Sequence, residues 1–232
     1  MLVDFHTHLL PSLDDGSQSV EESLEMLDAL RTQNVDCVVA TPHFYAWKRN
    51  LSEFLDQRAQ AYDMLHSAQA SFVPKVLLGA EVSFFRGLGK AESIEKLCIG
   101  ESKALLLEMP FSQWGRGEIS EVSQLLTRGI TPIIAHVERY VSYQKDLAAL
   151  NEVINLPVFL QVNTEALQTR KTRRFVFQLI RHGFSILLGT DCHNTKNRRP
   201  DMQDGREILS RKFGAGYLQQ LDALGAQLLN IK

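Results

Sequence analysis

Histidine and carboxylate side chains at short spacings dominate the residues of this chain that could do chemistry. His6 and His8 are separated by one residue near the start, and Asp191 and His193 are separated in the same way near the end. Because side chains alternate along a strand, each pair would project to one face. Imidazole with carboxylate, in the absence of cysteine, is a ligand set for zinc, manganese or iron. The spacing therefore indicates metal binding.

Further residues of the same types fall where predicted strands end. Seven short, largely apolar runs predict strands that are covered on both faces: Leu2–His6, Cys37–Thr41, Val76–Val82, Ala104–Met109, Pro132–His136, Val158–Asn163 and Ser185–Asp191. Polar residues end these runs or closely follow them: His6, His8, His43, Glu81, Glu108, His136, Asn163, Asp191 and His193. The remaining histidines, His66 and His182, fall in or at the end of predicted helices and are assigned no chemistry. The cluster needs more than one ion, so two or three ions are expected.

Amphipathic segments between the strands predict helices that would place those strand ends together. Ser19–Glu22 has the pattern of a capping box, and a second helix is predicted from Ser52 to about Ala68. Thr172 is predicted to cap a third helix that Gly183 ends, and Gly129 and Gly214 are predicted as similar stops. Repeated strand and helix units predict an α/β fold, a distorted (β/α)7 barrel formed by residues 1–232 as one domain, with the site at the carboxyl ends of the strands.

Composition excludes several other classes of protein. Hydrophobic residues make up 44% and charged residues 22% of the 232 residues, which is typical of a soluble globular protein. No apolar run approaches the ~18 residues of a membrane helix. Three cysteines argue against a disulfide framework and favour a reducing, cytoplasmic compartment. The net charge of −2 is not basic enough to suggest a nucleic-acid partner.

Charge is distributed unevenly along the chain. Residues 1–33 hold seven acids and one base, whereas residues 169–212 hold eleven bases and four acids. One interpretation is two solvated helix faces. The other is a cation-binding end and an anion-binding end of one site, and the sequence leaves both open.

Seven ordered blocks resemble the polymerase and histidinol phosphatase (PHP) superfamily. They are Asp4-Phe5-His6-Thr7-His8, Leu13-Asp14-Asp15-Gly16, Ala40-Thr41-Pro42-His43, Gly79-Ala80-Glu81, Leu107-Glu108-Met109-Pro110, Ala135-His136-Val137-Glu138-Arg139-Tyr140 and Asp191-Cys192-His193-Asn194. Within that superfamily the chain is similar to the bacterial manganese-dependent protein-tyrosine phosphatases of capsule and exopolysaccharide operons, the CpsB/CapC type. It departs from their usual pattern at Val137 and Cys192, which are not expected ligands.

The resemblance implies a site with three metal ions, expected to be Mn²⁺, for which iron or zinc could substitute. His6, His8, Glu81 and Asp191 would hold one ion, and Glu81 would bridge to a second that Glu108 and His136 share. Asp15, His43 and His193 would serve the third ion, and His43 or His193 could also protonate the leaving group. Arg139 would bind the phosphoryl oxygens together with a second arginine, Arg198, although Arg199 could take that place.

The implied function is hydrolysis of phosphotyrosine in proteins, with the tail of a bacterial tyrosine kinase that controls capsular or exopolysaccharide synthesis as the expected partner. One alternative is the same chemistry on a small metabolite such as histidinol phosphate. Another is an accessory PHP module without activity. Cys192 and Arg198 also match the C-x5-R spacing of cysteine-dependent phosphatases. That loop lacks glycines, and Asp191 would raise the pKa of the thiol, so this reading is disfavoured.

Overall fold

The structure of the protein is a computed structural model and describes residues 1–68 and 74–231. Its described strands are β1 Val3–Thr7, β2 Cys37–Ala40, β3 His43–Phe44, β4 Lys75–Leu78, β5 Glu81–Ser83, β6 Ala104–Glu108, β7 Thr131–Ile134, β8 Phe159–Asn163 and β9 Ile186–Gly189. Its α-helices are α1 Val20–Thr32, α2 Leu51–Ala68, α3 Arg116–Thr127, α4 Ala148–Ile154, α5 Arg170–Arg181, α6 Met202–Phe213 and α7 Ala215–Leu228. Short 3₁₀ helices cover Leu88–Lys90, Ile94–Leu97, Val137–Tyr143 and Thr164–Leu167.

The strands form two sheets in which every pairing is parallel. One sheet has the order β1-β2-β4 and the other has the order β3-β5-β6-β7-β8-β9. This arrangement of parallel strands and helices confirms the predicted α/β class.

One predicted strand is interrupted and another is followed by a short unpredicted strand, and the two sheets divide at these places. The segment from Val76 to Val82 was expected to be one strand, but β4 and β5 are separated at Gly79 and Ala80. Likewise β2 and β3 are separated at Thr41 and Pro42. Pro42 has no backbone N–H to continue the ladder. The chain nevertheless stays paired across the break, because Gly79 N donates to Ala40 O (2.9 Å) and Glu81 N donates to Pro42 O (3.1 Å).

Hydrogen bonds between β1 and the segment that follows β9 join the two sheets a second time, away from the breaks described above. Asp191 N donates to His6 O (2.7 Å), and His8 N donates to Cys192 O (2.9 Å). Thr7 and Cys192 form a parallel bridge. Seven strand positions therefore surround one interior, as predicted for the barrel. Two of these positions are interrupted, one between β2 and β3 and the other between β4 and β5.

The buried apolar residues form two clusters on opposite faces of the strands. In β6, Leu105 and Leu107 belong to the larger cluster, which the helices cover. Ala104 and Leu106 belong to the smaller cluster. Because side chains alternate along a strand, Glu108 lies on the face of Ala104 and Leu106, toward the interior.

The helix starts were predicted only in part. The Ser19 hydroxyl caps α1 by accepting from Glu22 N (3.2 Å). The reciprocal half of the capping box is absent, because the Glu22 carboxylate accepts instead from Gln18 N (2.9 Å).

The predicted cap of α5 was wrong. Thr169 precedes this helix, and Thr172 lies within its first turn. The Thr172 hydroxyl donates to Ala166 O (2.5 Å), so it ties the helix to the preceding 3₁₀ turn. Gly183 follows the helix with φ +79°, a left-handed conformation that favours glycine, as predicted. No α-helix among the described residues is long and apolar enough to cross a membrane.

Candidate metal centre

The strand ends bring the residues predicted as ligands to one rim of the molecule. His6 lies in β1 and His8 directly follows it, while His43 begins β3 and Glu81 begins β5. Glu108 ends β6, His136 follows β7, and Asp191 and His193 follow β9. Asp15 lies in the loop between β1 and α1. Seven of the nine predicted ligand residues belong to the groups of donor atoms described next, whereas His136 and Asp191 lie beside Glu81 and His6 without joining a group.

Three overlapping groups of donor atoms occupy this rim. Within each group one atom from every residue lies within 4.8 Å of the others. The groups are His8, Asp15, His43 and His193; His6, His8 and Glu81; and His43, Glu81 and Glu108. His8, His43 and Glu81 each belong to two groups, so the arrangement suits several ions that share ligands better than one isolated ion.

Glu81 lies at the centre of the cluster and is buried. Its Oε2 atom lies 3.4 Å from both His6 Nε2 and His8 Nε2, and 2.8 Å from His43 Nδ1. The same Oε2 and His43 Nδ1 have no hydrogen-bond partner of acceptable geometry. A buried carboxylate oxygen with several imidazole nitrogens around it, and no hydrogen bond, fits a bound cation.

Hydrogen bonds fix which imidazole nitrogen is available in three of the histidines. Nδ1 of His8 lies 2.7 Å from Asp14 Oδ2, Nδ1 of His6 lies 3.1 Å from Gln161 Oε1, and Nδ1 of His193 lies 2.9 Å from Asp191 O. Each partner is an oxygen acceptor, so Nδ1 carries the hydrogen. In neutral imidazole the lone pair then lies on Nε2, which is the atom that each histidine offers toward the cluster. This donor set fits a group of metal ions.

Asp14 and Gln161 are site residues that the sequence analysis did not assign. Asp14 accepts from His8, from His43 N (2.9 Å) and from Gly16 N (2.9 Å), so it holds two predicted ligands in place. Gln161 Oε1 accepts from His6 and from His136 N (2.7 Å). A signal for Gln161 was present, because it lies two residues before Asn163 on the same face of β8.

Burial and charge together shift the pKa values of the cluster. Burial opposes ionisation of Glu81, but the surrounding histidines hold its pKa well below the usual range. Burial and the charge of Glu81 raise the pKa of Glu108 to about 7. Burial, with the charge of His8, lowers the pKa of His193 to about 4, so this imidazole is neutral at pH 7. A cation near Glu81 and Glu108 would relieve the repulsion between the two carboxylates.

Two arginines converge on Asp191 beside the cluster. Arg139 donates to Asp191 Oδ2 and Arg198 donates to Asp191 Oδ1, each at 2.8 Å. Arg199 instead pairs with Asp204 (3.7 Å) and is 66% exposed. Of the two arginines that the sequence left open, Arg198 is the one that contacts Asp191, and both line a cavity of about 120 Å³ together with Arg139 and Asp191.

Two of the six non-glycine residues with a positive φ in the described part of the chain lie at the same place. His136 has φ +29° and Asp191 has φ +53°, in the left-handed region that non-glycine residues rarely adopt. Such residues persist where the surrounding structure holds them. Here Gln161 accepts from His136 N (2.7 Å), and Asp191 N donates to His6 O (2.7 Å).

Cys192 lies between two site residues but does not face the site. Its side chain is fully buried in the larger apolar cluster. Burial, with the charges of Asp4 and Asp191, raises the pKa of the thiol well above its ordinary value. The C-x5-R spacing therefore does not provide an accessible thiolate.

The rim around the cluster is open and carries aromatic side chains. Asp15 is 64% exposed. Tyr45 stacks on His43 (ring centroids 5.1 Å apart), and Phe111 stacks on His136 (5.8 Å). Next to Arg139 lies a cavity of about 280 Å³ that Phe111 and Tyr143 help to line.

Comparisons with known proteins agree with this geometry. Residues 2–229 match the family model for capsular polysaccharide synthesis, CpsB/CapC. The chain is 27% identical over 235 residues to the tyrosine-protein phosphatase CpsB of Streptococcus pneumoniae, covering 95% of this chain and 94% of that protein. It is 26% identical over 230 residues to the tyrosine-protein phosphatase YwqE of Bacillus subtilis, covering 92% of this chain and 86% of that protein.

Solved structures show the same fold. One from the pair YwqE of Bacillus subtilis and CpsB of Streptococcus pneumoniae, described as metal-dependent tyrosine phosphatases, superposes with a TM-score of 0.86 at 24% identity, over 99% of this chain and 94% of that one. A phosphotriesterase homology protein from Escherichia coli superposes with a TM-score of 0.57 at 12% identity, over 98% of both chains. These likenesses establish the fold.

Proposed function

This chain belongs to the CpsB/CapC family of capsular polysaccharide synthesis, and from that premise we propose that it is a metal-dependent phosphomonoesterase that hydrolyses phosphotyrosine in proteins. The proposal rests on the position of two arginines, Arg139 and Arg198, beside overlapping groups of metal-donor atoms. Cations together with guanidinium groups are what a phosphoryl group requires, because its charge is spread over three oxygens.

The proposed ligands are the nine residues predicted from the sequence: His6, His8, Asp15, His43, Glu81, Glu108, His136, Asp191 and His193. The groups of donor atoms support a division of these ligands among the ions that differs from the expected one. His8 joins Asp15, His43 and His193, and His43 joins Glu81 and Glu108. We infer two or three Mn²⁺ ions, for which iron or zinc could substitute. Such ions lower the pKa of bound water toward neutrality and neutralise phosphoryl oxygens.

The arginines bind and orient the phosphoryl group in this proposal. Arg139 and Arg198 are each 38% exposed, so a substrate can reach them from the rim. Asp191 holds both guanidinium groups toward one point before substrate arrives. A planar guanidinium can donate two hydrogen bonds to phosphoryl oxygens, which fixes the orientation of the group.

The leaving tyrosyl oxygen needs little assistance, because a phenol has a pKa near ~10. His43 is 15% exposed and His193 is 2% exposed. His43 is thus the histidine closer to solvent and to an entering tyrosine side chain. We assign proton transfer to the leaving group to His43 in preference to His193, through whichever His43 nitrogen holds no ion and so carries a hydrogen.

The open rim supports a protein substrate over a small one. An exposed Asp15 and two half-exposed arginines leave room for a polypeptide that carries phosphotyrosine. We infer a bacterial tyrosine kinase tail that controls capsular or exopolysaccharide synthesis as the partner. In this proposal residues 1–232 act as one PHP phosphatase domain in the cytoplasm. Hydrolysis of a small phosphate ester such as histidinol phosphate is the alternative.

The test measures phosphate release from p-nitrophenyl phosphate, phosphotyrosine peptides and histidinol phosphate. A chelator should remove the activity and Mn²⁺ should restore it, while Cys192→Ser should keep most of it, because the thiol is buried away from the site. Phosphotyrosine peptides should be the preferred substrates. A folded, fully metallated Cys192→Ser protein without activity would contradict the metal mechanism, and preference for histidinol phosphate would contradict the substrate.

A further inference from the structure

Helix α5 carries a strongly basic face beside the candidate site. Five of its twelve residues are basic and none is acidic. Lys212 of α6 joins four of them around a surface groove of about 340 Å³, which we call the basic groove. It is lined by Arg170, Arg173, Arg174, Phe177, Arg181 and Lys212.

The cations of the basic groove are not neutralised by the protein. In residues 1–68 and 74–231 no acidic side chain forms an ion pair with any of them, nor with Lys171. Basic residues elsewhere on α6 behave differently, since Arg206 pairs with Asp222 (2.6 Å) and Arg211 pairs with Glu207 (2.8 Å). Like charges held together repel one another, so an anionic partner would relieve a cost that the free protein carries.

The basic groove is connected to the candidate site. Helix α5 follows the carboxyl end of β8 through the 3₁₀ helix Thr164–Leu167, so its first turn lies on the side of the rim. Lys171, in that turn, lines the same 280 Å³ cavity as Arg139 and Phe111. Lys171 of the cavity directly follows Arg170 of the groove, so the cavity and the groove adjoin different faces of the same turn of α5. Along α5, Arg170 and Arg181 are separated by a rise of about 16 Å, the length of roughly five residues of extended chain.

We propose that the basic groove binds acidic residues flanking the phosphotyrosine of a protein substrate. The inference rests on the proposed function and specifies which protein substrates the site takes. Arg139 would hold the phosphoryl group, the 280 Å³ cavity would receive the adjoining residues, and the groove would pair with acidic side chains farther along the peptide. The connection to the site favours a substrate segment over a nucleic acid or a membrane, as does the net charge of −2.

The first experiment compares phosphotyrosine peptides that differ only in their flanking residues. Peptides carry four glutamates, four glutamines or four lysines on one side of the phosphotyrosine, and a second set carries them on the other side. We expect kcat/KM to be about tenfold higher for glutamate than for glutamine on at least one side, through a lower KM, as several exposed ion pairs together would provide. The preference should shrink as salt is raised, because exposed pairs are screened.

The variant that tests the groove is the triple substitution Arg170→Glu, Arg174→Glu and Arg181→Glu. All three side chains are exposed. The matched control is Lys75→Glu with Lys103→Glu, at exposed positions beside the amino ends of β4 and β6, the ends away from the site. The triple variant should lose the preference for glutamate and keep its turnover of p-nitrophenyl phosphate. The control should keep both.

A binding measurement separates this proposal from the proposed function. Fluorescence anisotropy follows the same peptides with a non-hydrolysable phosphonate in place of the phosphate, so it needs no turnover. Absence of hydrolysis of every phosphotyrosine substrate would overturn the proposed function, whereas equal binding of the glutamate and glutamine peptides would overturn the groove proposal. The groove proposal is also overturned if the triple substitution abolishes binding to anionic vesicles or single-stranded RNA but leaves the peptide preference intact.

Discussion

At the scale of single residues, Glu81 is the side chain on which most of the site depends. It belongs to two of the three donor groups, and its two oxygens approach four different imidazoles. We expect Glu81→Ala to abolish turnover and to lower the metal content by more than one ion per chain. Metal analysis by mass spectrometry alongside kinetics checks this. Retained activity with full metal occupancy would contradict a shared carboxylate, and His66→Ala, in α2 away from the site, is the control.

Arg139 should affect the reaction without affecting metal content. Its guanidinium pairs with Asp191 and is aimed at the place proposed for the phosphoryl group. Removing one such donor costs about 10²–10³ in rate, so Arg139→Ala should lower kcat by that amount with metal unchanged. Arg199→Ala should lower kcat less than Arg139→Ala, because the Arg199 guanidinium pairs with Asp204 instead of Asp191. Loss of metal from Arg139→Ala, or an unchanged rate, would make Arg139 a structural residue.

The sequence identified the residues that the strand ends bring together because strand ends are visible in the apolar pattern. Glu108 and His136 could be placed in this way without any knowledge of contacts. Asp14 and Gln161 could not, for different reasons. Asp14 and Asp15 are neighbours in one loop, and only the folded loop decides that Asp14 turns to His8 while Asp15 stays exposed. Gln161 lies inside a strand, where one polar residue predicts burial with a partner but not which partner.

At the scale of elements, the loop after β1 depends on Gly16. A Cβ atom at this position would lie 2.1 Å from His8 O and 2.4 Å from His8 Cβ, so the loop can pass this close only because glycine has no side chain. This approach holds Asp14 and Asp15 against the histidines. We expect Gly16→Ala to reduce metal content and activity together. Gly117→Ala in α3, where nothing lies within 4 Å, is the control and should leave both unchanged. Full metallation of Gly16→Ala would contradict this role for the loop.

The contact between α6 and the 3₁₀ helix Thr164–Leu167 should depend on pH. Asp201 is buried there and accepts from Thr164 Oγ1 and from Gln168 Nε2 (3.1 Å). Burial raises its pKa to about 6 from an ordinary 3.8. A raised carboxyl pKa contributes stability that is present below the unfolded pKa and is lost as the pH rises through the folded pKa.

The melting temperature of the Asp201→Asn variant minus that of the unsubstituted protein should therefore increase as the pH rises from 4 to 7. Thermal melts of both proteins across this range measure the difference. A difference that stays constant with pH would mean that the carboxyl group does not titrate in this interval.

The bounds of strands and helices were predicted well where the apolar pattern determines them. They were predicted less well where a single contact determines them. The runs from Ala104 and from Val158 became β6 and β8 with nearly the predicted bounds. The break between β4 and β5 could not be seen, because Gly79 and Ala80 are compatible with a strand and the interruption arises from pairing with the neighbouring segment at Pro42. Thr172 has the right residue type for a cap, but its hydroxyl finds Ala166 O, a partner that the sequence does not reveal.

At the scale of the whole molecule, metal binding should stabilise the fold. The proposed ligands come from strands around the barrel, and the unfolded chain does not hold them together. An ion at 100 times its Kd adds about 2.7 kcal/mol, which corresponds to an increase of about 5–10 °C in Tm for a chain of this size. Chelation should lower Tm by that amount, and the effect should be smaller in Glu81→Ala. Melts that are identical with and without chelator would contradict a site shared between strands.

The joining of β1 to the segment after β9 also has a kinetic consequence. Thr190 N donates to Asp4 Oδ1 (2.9 Å), a contact between residues 186 positions apart in the sequence. Closing so long a loop costs chain entropy before any interaction compensates it, which makes such contacts slow to form. His6 and His8 meet Asp191 and His193 only when this seam is closed. The rate at which a refolding chain acquires its full complement of ions therefore reports the closing of the barrel, rather than the formation of its individual strands and helices.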